Sequence, residues 1–392
     1  MTNTASWAAR LGEDEFLAQT RFHAHKVIRA DGPAPSPLAW DDLNDIIAAH
    51  RLEPPRMRLS RAGEAVPVTS YATLRTNRRG VSWYQAEPAE FHARLAEGAS
   101  LVIDAIDQIH APIRESAVEL ERFFRTPVQV NAYASWTAEE GFGTHWDDHE
   151  VVVLQVDGAK RWRVYGPTRQ APAWRDVEEP EAPTGKPLAD IVLTPGDVLY
   201  LPRGWWHAVS ADQGTPSLHL TFGLATQSGA EFLGWVCDEL RVSMAVRQDV
   251  PRHSSPGEKD AYLEGLRKEL LALLDEPGVL DRWARSIDAT HSGRPRLSLP
   301  HIGAVPADPN ITVQLTVARP RVDQDDEVIT LAGASHEFAF ALVAAPLVRL
   351  LAEGAPVPLA VLAQRSGLTL QQTAEVVTVL VTGQAAAVGS NG

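Results

Sequence analysis

Leu193-Thr-Pro-Gly196-Asp-Val-Leu-Tyr-Leu-Pro202-Arg-Gly204-Trp-Trp-His207 is the stretch on which the fold turns. Gly196 reads as a tight turn, Val198 to Leu201 as a short buried strand, and Pro202 with Gly204 as a second turn that delivers His207. Strand, turn and imidazole in that order form a device for aiming one side chain. Upstream, His145-Trp146-Asp147 sets a second imidazole and a carboxylate two residues apart, and such positions share one face of a strand. Two histidines and a carboxylate form a 2-His-1-carboxylate donor set, which leaves metal coordination positions open for reactants. His145, Asp147 and His207 are therefore the candidate metal ligands, and with them the candidate catalytic residues.

Between the ligands lie two strand-like runs, Glu150 to Val156 and Ala159 to Tyr165, joined by Asp157-Gly158. That dipeptide suits a two-residue type I′ turn, so a hairpin is expected. In the second run Lys160, Trp162 and Val164 share one face, and Arg161, Arg163 and Tyr165 share the other. A lysine facing inward needs an anionic partner, because an unpaired buried ammonium is costly. Alternation alone leaves open whether Lys160 or Arg161 points inward. In Ser217 to Gly223 the polar residues Ser217, His219 and Thr221 fall on one face, either lining a cavity or coating an outer surface. His149 reads as exposed near a strand start, Asp148 and Glu150 as outward and solvated, and Trp162, Trp205 and Trp206 as core.

The spacing G-x5-P-x-G-x2-H from Gly196 to His207 matches the second motif of the cupin superfamily, with Ala211 where an Asn often stands. The stretch from Val128 to Leu224 resembles the JmjC-type, "cupin 4" branch of 2-oxoglutarate oxygenases, the group containing the bacterial and eukaryotic ribosomal oxygenases. The resemblance implies that Lys160 points inward and binds the distal carboxylate of 2-oxoglutarate. It also places Asn131 and Tyr133 on the strand entering the site, and Thr221 and His219 join them as candidate cosubstrate-binding residues. The cofactors it implies are Fe(II), 2-oxoglutarate and O2. The implied fold is a mainly β catalytic domain, a double-stranded β-helix or cupin jelly roll.

Composition agrees with an ordinary globular enzyme: 392 residues, 44% hydrophobic and 22% charged. The single cysteine, Cys237, excludes an internal disulfide framework and a cysteine-based zinc site. No run approaches a membrane span, and the N-terminus has neither a basic nor an apolar signal region, so a cytoplasmic location is expected. The net charge of −14 argues against nonspecific nucleic-acid binding and is compatible with a basic polypeptide substrate.

Along the chain, Pro33 to Pro37 and Pro54-Pro55 mark loops, and Trp40 to Arg51 reads as a helix capped near Asp41. Residues Ala230 to Val246 and Glu258 to Ile287 have apolar residues at helical spacing, with Arg247 to Gly257 as the loop between. Ile311 to Val317 and Glu327 to Leu331 alternate like strands; Phe338 to Ala352, Leu359 to Ser366 and Leu370 to Thr382 read as helices. The last two form a helix-turn-helix pattern around Gly367 and Thr369, yet Leu370 to Thr382 carries no Lys or Arg, so DNA binding is not expected.

The expected domains are a catalytic domain over 1–228, an α-helical dimerisation module over 229–300 and a winged-helix-like α+β domain over 301–392. By resemblance, the expected activity is hydroxylation of an amino-acid side chain in a protein or peptide, either Arg or His of a ribosomal protein or a natural-product peptide. The expected partners are that substrate and a second copy of the chain, with neither nucleic acid nor membrane. The alternatives are a metal-dependent cupin enzyme that uses no 2-oxoglutarate and a JmjC-like demethylase or regulator.

Overall fold

The computed structural model describes residues 6–32, 36–168, 171–172, 181–212, 215–291, 293–294 and 296–390. Residues 33–35 of the first Pro-rich loop, and Met1 to Ala5, lie outside the described residues. The chain divides into two compact units, Met1–Thr226 and Gln227–Gly392.

The first unit is built on the strands β1 (Lys26–Ile28), β2 (Met57–Arg61), β3 (Glu64–Ala65), β4 (Ala72–Thr76), β5 (Ser82–Ala86), β6 (Ser100–Ile103) and β7 (Val128–Ser135). It continues with β8 (Glu150–Asp157), β9 (Lys160–Pro167), β10 (Ala189–Leu193), β11 (Val198–Leu201), β12 (Trp205–Ala211) and β13 (Ser217–Leu224). Among the described residues an eight-stranded sheet runs β1-β11-β8-β13-β7-β6-β2-β3, a three-stranded sheet runs β10-β9-β12, and β4 pairs only with β5.

Side-chain alternation explains the layering. On β8, Val152, Leu154 and Val156 enter the large core beneath the eight-stranded sheet. Val151 and Val153 enter a second core with Trp162, Val164, Leu193, Leu199 and Leu201 of the facing strands. A strand buried on both faces reads as a continuous apolar run, which is what Val151 to Leu154 is. The outer core is closed by the helix Ala111–Phe124, whose buried Ile113, Ala117, Leu120 and Phe124 recur at helical spacing. This arrangement is a β-rich, cupin-like barrel.

Three expectations are corrected in this unit. β8 and β9 do not form a hairpin. β8 is flanked by β11 and β13, and β9 by β10 and β12. A strand has two edges, and β8 spends both within its own sheet, so the chain crosses to the other sheet at Gly158, with φ +65°. The helix Trp40–Ala49 is capped at Ala39, whose N–H donates to Asp42 Oδ2 at 2.7 Å, rather than by Asp41. Glu150 is not solvated but 6% exposed.

Glu150 pairs with Arg21 at 3.0 Å and accepts from the Tyr200 hydroxyl at 2.5 Å. It thereby ties the N-terminal segment to the sheet. Glu150→Ala leaves the Tyr200 hydroxyl proton without its acceptor, although that oxygen still accepts from the Phe22 N–H at 3.0 Å, and strands most of the Arg21 charge. Because Arg21 keeps some exposure, we expect a loss of about 2–3 kcal/mol rather than the full cost of breaking a buried pair. Urea unfolding measures it, and a loss under about half a kcal/mol would return Glu150 to the surface class.

In the second unit the helices are Gly229–Glu239, Met244–Arg247, Pro256–Leu274 and Val279–Thr290. Serines start two of them: Ser228 and Ser255 each receive a carboxylate from the residue three positions on, Glu231 and Glu258, in capping boxes. Beyond them lie β14 (Ile311–Leu315), β15 (Arg321–Gln324), β16 (Val328–Gly333), β17 (His336–Ala341), β18 (Val357–Pro358) and β19 (Ala386–Ser390). The helices Ala345–Ala352, Leu359–Ser366 and Leu370–Thr382 share their core. The last two helices fall where expected, with Gly367 left-handed at φ +75° and the Thr369 hydroxyl accepting from Gln372 N–H at 3.2 Å. The start of the expected helix Phe338 to Ala352 is instead β17. Phe338 pairs with Leu331 and Phe340 with Ile329, and this cross-strand apolar pairing outweighs the helical preference of the intervening alanines.

Candidate metal centre

The Pro202–Gly204 turn carries the site. Gly204 is left-handed at φ +76°, a conformation side chains disfavour, and a Cβ there would lie 2.2 Å from Pro172. Its N–H donates to the Asp147 carbonyl at 2.8 Å, so the turn that aims His207 also pins the upstream candidate ligand. His145 and His207 are direct antiparallel partners: the His145 N–H donates to the His207 carbonyl at 3.0 Å and the His207 N–H to the His145 carbonyl at 2.8 Å. Residues 145–147 thus form an isolated bridge rather than the regular strand expected.

Ligand atoms of His145, Asp147 and His207 all lie within 4.8 Å of one another. Asp147 Oδ2 is 3.6 Å from His207 Nε2, and the two imidazole centroids are 4.3 Å apart. Each ring turns Nδ1 toward a backbone carbonyl two residues earlier, Gly143 at 3.1 Å for His145 and Trp205 at 2.9 Å for His207. A carbonyl only accepts, so Nδ1 carries the proton and Nε2 keeps a free lone pair for a metal. Burial holds His207 well below the usual imidazole range, to about 4, which keeps it in the neutral form that binds metal.

Behind this cluster, the inner face of the large sheet is polar. β13 pairs with β7 so that Ser217 lies opposite Ser135, His219 opposite Tyr133, and Thr221 opposite Asn131. The imidazole of His219 stacks on Tyr133 at 5.0 Å between centroids, with the planes 6° apart. Lys160 reaches the same interior from β9. It is 4% exposed and donates to the Ser135 hydroxyl, while Arg161 and Arg163 turn outward to Asp190, Asp212 and Glu140. Among the described residues no carboxylate pairs with Lys160. Burial therefore lowers its pKa to about 7, and burial together with the Lys160 charge holds His219 well below the imidazole range. Burial also raises Tyr133 to about 12.

The predicted residues come together with differing roles. Asn131 is partly committed to structure, its Oδ1 accepting from the Ala105 N–H at 3.0 Å. Thr221 is half-buried beside it. His149 stands apart from the triad, with Nδ1 3.0 Å from Asp148 Oδ1 and its ring against Gly223. Ser135 was missed, though it follows Tyr133 by two on the same strand and alternation places it on the same face. Phe142 and Trp162 link the parts: Phe142 sits edge-on to Tyr133 and 6.0 Å from His145, and Trp162 lies between His207 and His219 at 5.6 and 5.7 Å.

The donor set fits a divalent first-row metal, with two neutral imidazoles and one carboxylate on one side. The interior fits a small anion with several acceptor oxygens. Lys160 supplies the charge, and the buried Nδ1 of His219 and Nε1 of Trp162 have no hydrogen-bond partner among the described residues.

Residues 108–232 match the family profile of the JmjC domain. The bifunctional lysine-specific demethylase and histidyl-hydroxylase NO66 of Drosophila persimilis is 38% identical over 143 residues, 36% of this chain and 21% of that protein. Ribosomal oxygenase 2 of Rattus norvegicus is 35% identical over 170 residues, 40% of this chain and 36% of that protein. The chain therefore spans well under half the length of these relatives. Among solved structures, YcfD from Escherichia coli superposes with a TM-score of 0.61 at 18% identity, over 96% of this chain and 97% of that one. YcfD, described as a ribosomal oxygenase, has also been solved in complex with cobalt and 2-oxoglutarate, and that structure superposes at 0.58 with 19% identity, over 96% of this chain and 98% of that one. At such identity the likeness establishes the shared fold. The stretch matched by the profile contains the triad, Lys160 and both strands of the polar face, and residues 108–232 are accordingly a JmjC domain, a stretch of the chain that is similar to NO66 and ribosomal oxygenase 2.

Proposed function

We propose that this protein is an Fe(II)- and 2-oxoglutarate-dependent oxygenase that hydroxylates an amino-acid side chain of a protein or peptide. One observation carries the reading: three candidate metal-ligand groups converge at one end of an interior face that also buries a lysine with no carboxylate partner among the described residues. A metal cupin without 2-oxoglutarate would need another anion to occupy that buried cation.

His145, Asp147 and His207 would hold Fe(II). Lys160, with Ser135, Tyr133, His219, Thr221 and Asn131 around it, would receive 2-oxoglutarate. Iron with 2-oxoglutarate and O2 would supply the oxidising power for attack on a C–H bond. The chain's own contribution is orientation and exclusion of water. The Gly143 and Trp205 carbonyls fix the rings, Lys160 holds the far carboxylate as a point charge, and Trp162 with Val153 and Val164 keeps the interior dry.

The substrate we infer is His or Arg of a ribosomal protein: His and the ribosome stand in the names of the relatives and of the solved neighbour, and Arg follows from the family resemblance alone; the net charge of −14 is compatible with a basic polypeptide. A natural-product peptide is the close variant. Demethylation is kept as a second reading because the NO66 relatives carry that activity in their name. Mass spectrometry of cellular proteins with and without the enzyme separates these: one added oxygen supports hydroxylation, loss of a methyl group supports demethylation, and no change in any protein or peptide overturns the reading.

The proposed organisation is a catalytic domain over 1–228, a helical module over 229–300 and a winged-helix-like domain over 301–392. Exposed Leu233, Val242, Met244, Leu263, Leu271 and Leu280 in the helical stretch support its assignment to homodimerisation. No described helix is long and apolar enough to cross a membrane, and a cytoplasmic location remains part of the proposal.

A further inference from the structure

The whole-chain charge of −14 hides a local exception. Residues 72–86 contain Arg75, Arg78 and Arg79 and no acidic residue. They form the antiparallel hairpin of β4 and β5, with Arg75 opposite Trp83 and Leu74 opposite Tyr84, and residues 73–82 are exposed. Its tip is preorganised. Asn77 Oδ1 accepts from the Arg79 and Val81 N–H groups at 2.9 and 3.1 Å, and the Asn77 N–H donates to the Val81 carbonyl at 3.0 Å. Gly80 closes the turn at φ +77°.

Arg75 is neutralised by Glu87 at 2.7 Å. Among the described residues Arg78 and Arg79 have no ion pair, and neither does Arg51, whose guanidinium lies 4.2 Å from the Trp83 ring centroid. Two guanidiniums without an ion pair among the described residues thus sit at the tip of a narrow ribbon, a third, Arg51, lies against its Trp83 ring, and the ribbon also exposes the apolar side chains of Leu74 and Val81.

We propose that this arm is a docking surface for RNA. Guanidinium groups match phosphate oxygens bidentately, and a guanidinium stacked on an indole is a platform for an unpaired base. The acidic bulk of the chain does not forbid it. Charges beyond the screening length of about 8 Å at physiological salt are largely damped, so the exposed Arg78 and Arg79 respond chiefly to nearby groups, and the carboxylates that engage the hairpin, Glu87 and Glu53, are taken up by Arg75 and by the Tyr84 N–H. An acidic polypeptide would satisfy the arginines but makes no use of the stacked Arg51–Trp83 pair. The choice of RNA over DNA rests on the ribosomal-protein reading of the substrate.

The test measures binding of the full chain to a labelled ribosomal RNA stem-loop over a salt series, with a DNA duplex of the same sequence and polyglutamate as parallel probes. Arg78→Glu/Arg79→Glu is expected to weaken RNA binding at least about tenfold and to reduce the slope of log affinity against log salt by about two. Arg78→Lys/Arg79→Lys should keep the slope. RNA binding unchanged by the Glu pair, or DNA or polyglutamate bound as tightly as RNA, overturns the proposal. His145→Ala protein should bind RNA like the wild type, and the Glu pair should keep 2-oxoglutarate turnover, so the docking surface and the oxygenase reading fail separately.

Discussion

Asp147→Ala is expected to abolish 2-oxoglutarate turnover and to lower metal affinity by more than about hundredfold, since even partners outside the coordination sphere cost 10- to 100-fold. The size of the effect follows from the donor count. Among the described residues three protein groups converge within 4.8 Å, so removing one leaves two imidazoles, which hold a labile divalent ion far more weakly in competition with water. His145→Ala should behave alike. The readouts are succinate release from 2-oxoglutarate and, independently of activity, titration with Co(II) followed by its visible absorption. The fold should survive. The backbone bonds that join His145 to His207 and Gly204 to Asp147 do not involve the deleted side chains, and Asp147 is partly exposed. His149→Ala is the control: it lies two residues from Asp147, yet its ring rests on Gly223 and bonds Asp148. Metal affinity lost equally in His149→Ala and Asp147→Ala would show that the site is some other cluster.

The contrast between these neighbours marks how much of the site was legible in the sequence. Gly196, Pro202 and Gly204 announce their turns because backbone geometry at those positions is a local property, and β11 falls where they predict, with His207 just past the second turn on β12, a strand the sequence reading did not assign. The polar face of β13 was legible as alternation, and the cross-sheet partner that makes it an inner face, Lys160 on Ser135, was not. Alternation assigns residues to faces without saying which face is inside; that depends on Val151 and Val153 meeting Trp162 across the barrel. The same limit explains the false hairpin. Asp157-Gly158 is good turn chemistry, but pairing depends on which strand edges are free, and β11 and β13 had occupied those of β8. Glu150 was misread for a similar reason, because Arg21 and Tyr200 reach it from distant parts of the chain.

Lys160→Met is expected to stabilise the protein while crippling its use of 2-oxoglutarate, and this opposition distinguishes a binding lysine from a structural one. With a folded pKa lowered by burial to about 7, against 10.5 for the free side chain, the unfolded chain binds more protons between those values. Stability therefore rises with pH across that window, and the full penalty is present below about pH 7. Its upper bound is about 5 kcal/mol; allowing for the lost Ser135 bond, Lys160→Met should gain on the order of 2–4 kcal/mol at pH 7. The gain should fade toward pH 10. Cosubstrate binding moves the other way. Loss of a charge-assisted contact worth about 1.5–3 kcal/mol raises the 2-oxoglutarate requirement by about 10- to 150-fold, with kcat at saturation much less affected. In the proposed site a dicarboxylate would bind the protonated lysine, so wild-type affinity is expected to be flat below about pH 7 and to fall above it as the free enzyme loses that proton. Lys160→Arg stays charged throughout and should remove this pH dependence. Calorimetric unfolding of Lys160→Met and KM measured across pH test both halves. A destabilised Met variant with an unchanged 2-oxoglutarate requirement would reduce Lys160 to a packing residue and remove the anion from the proposed site.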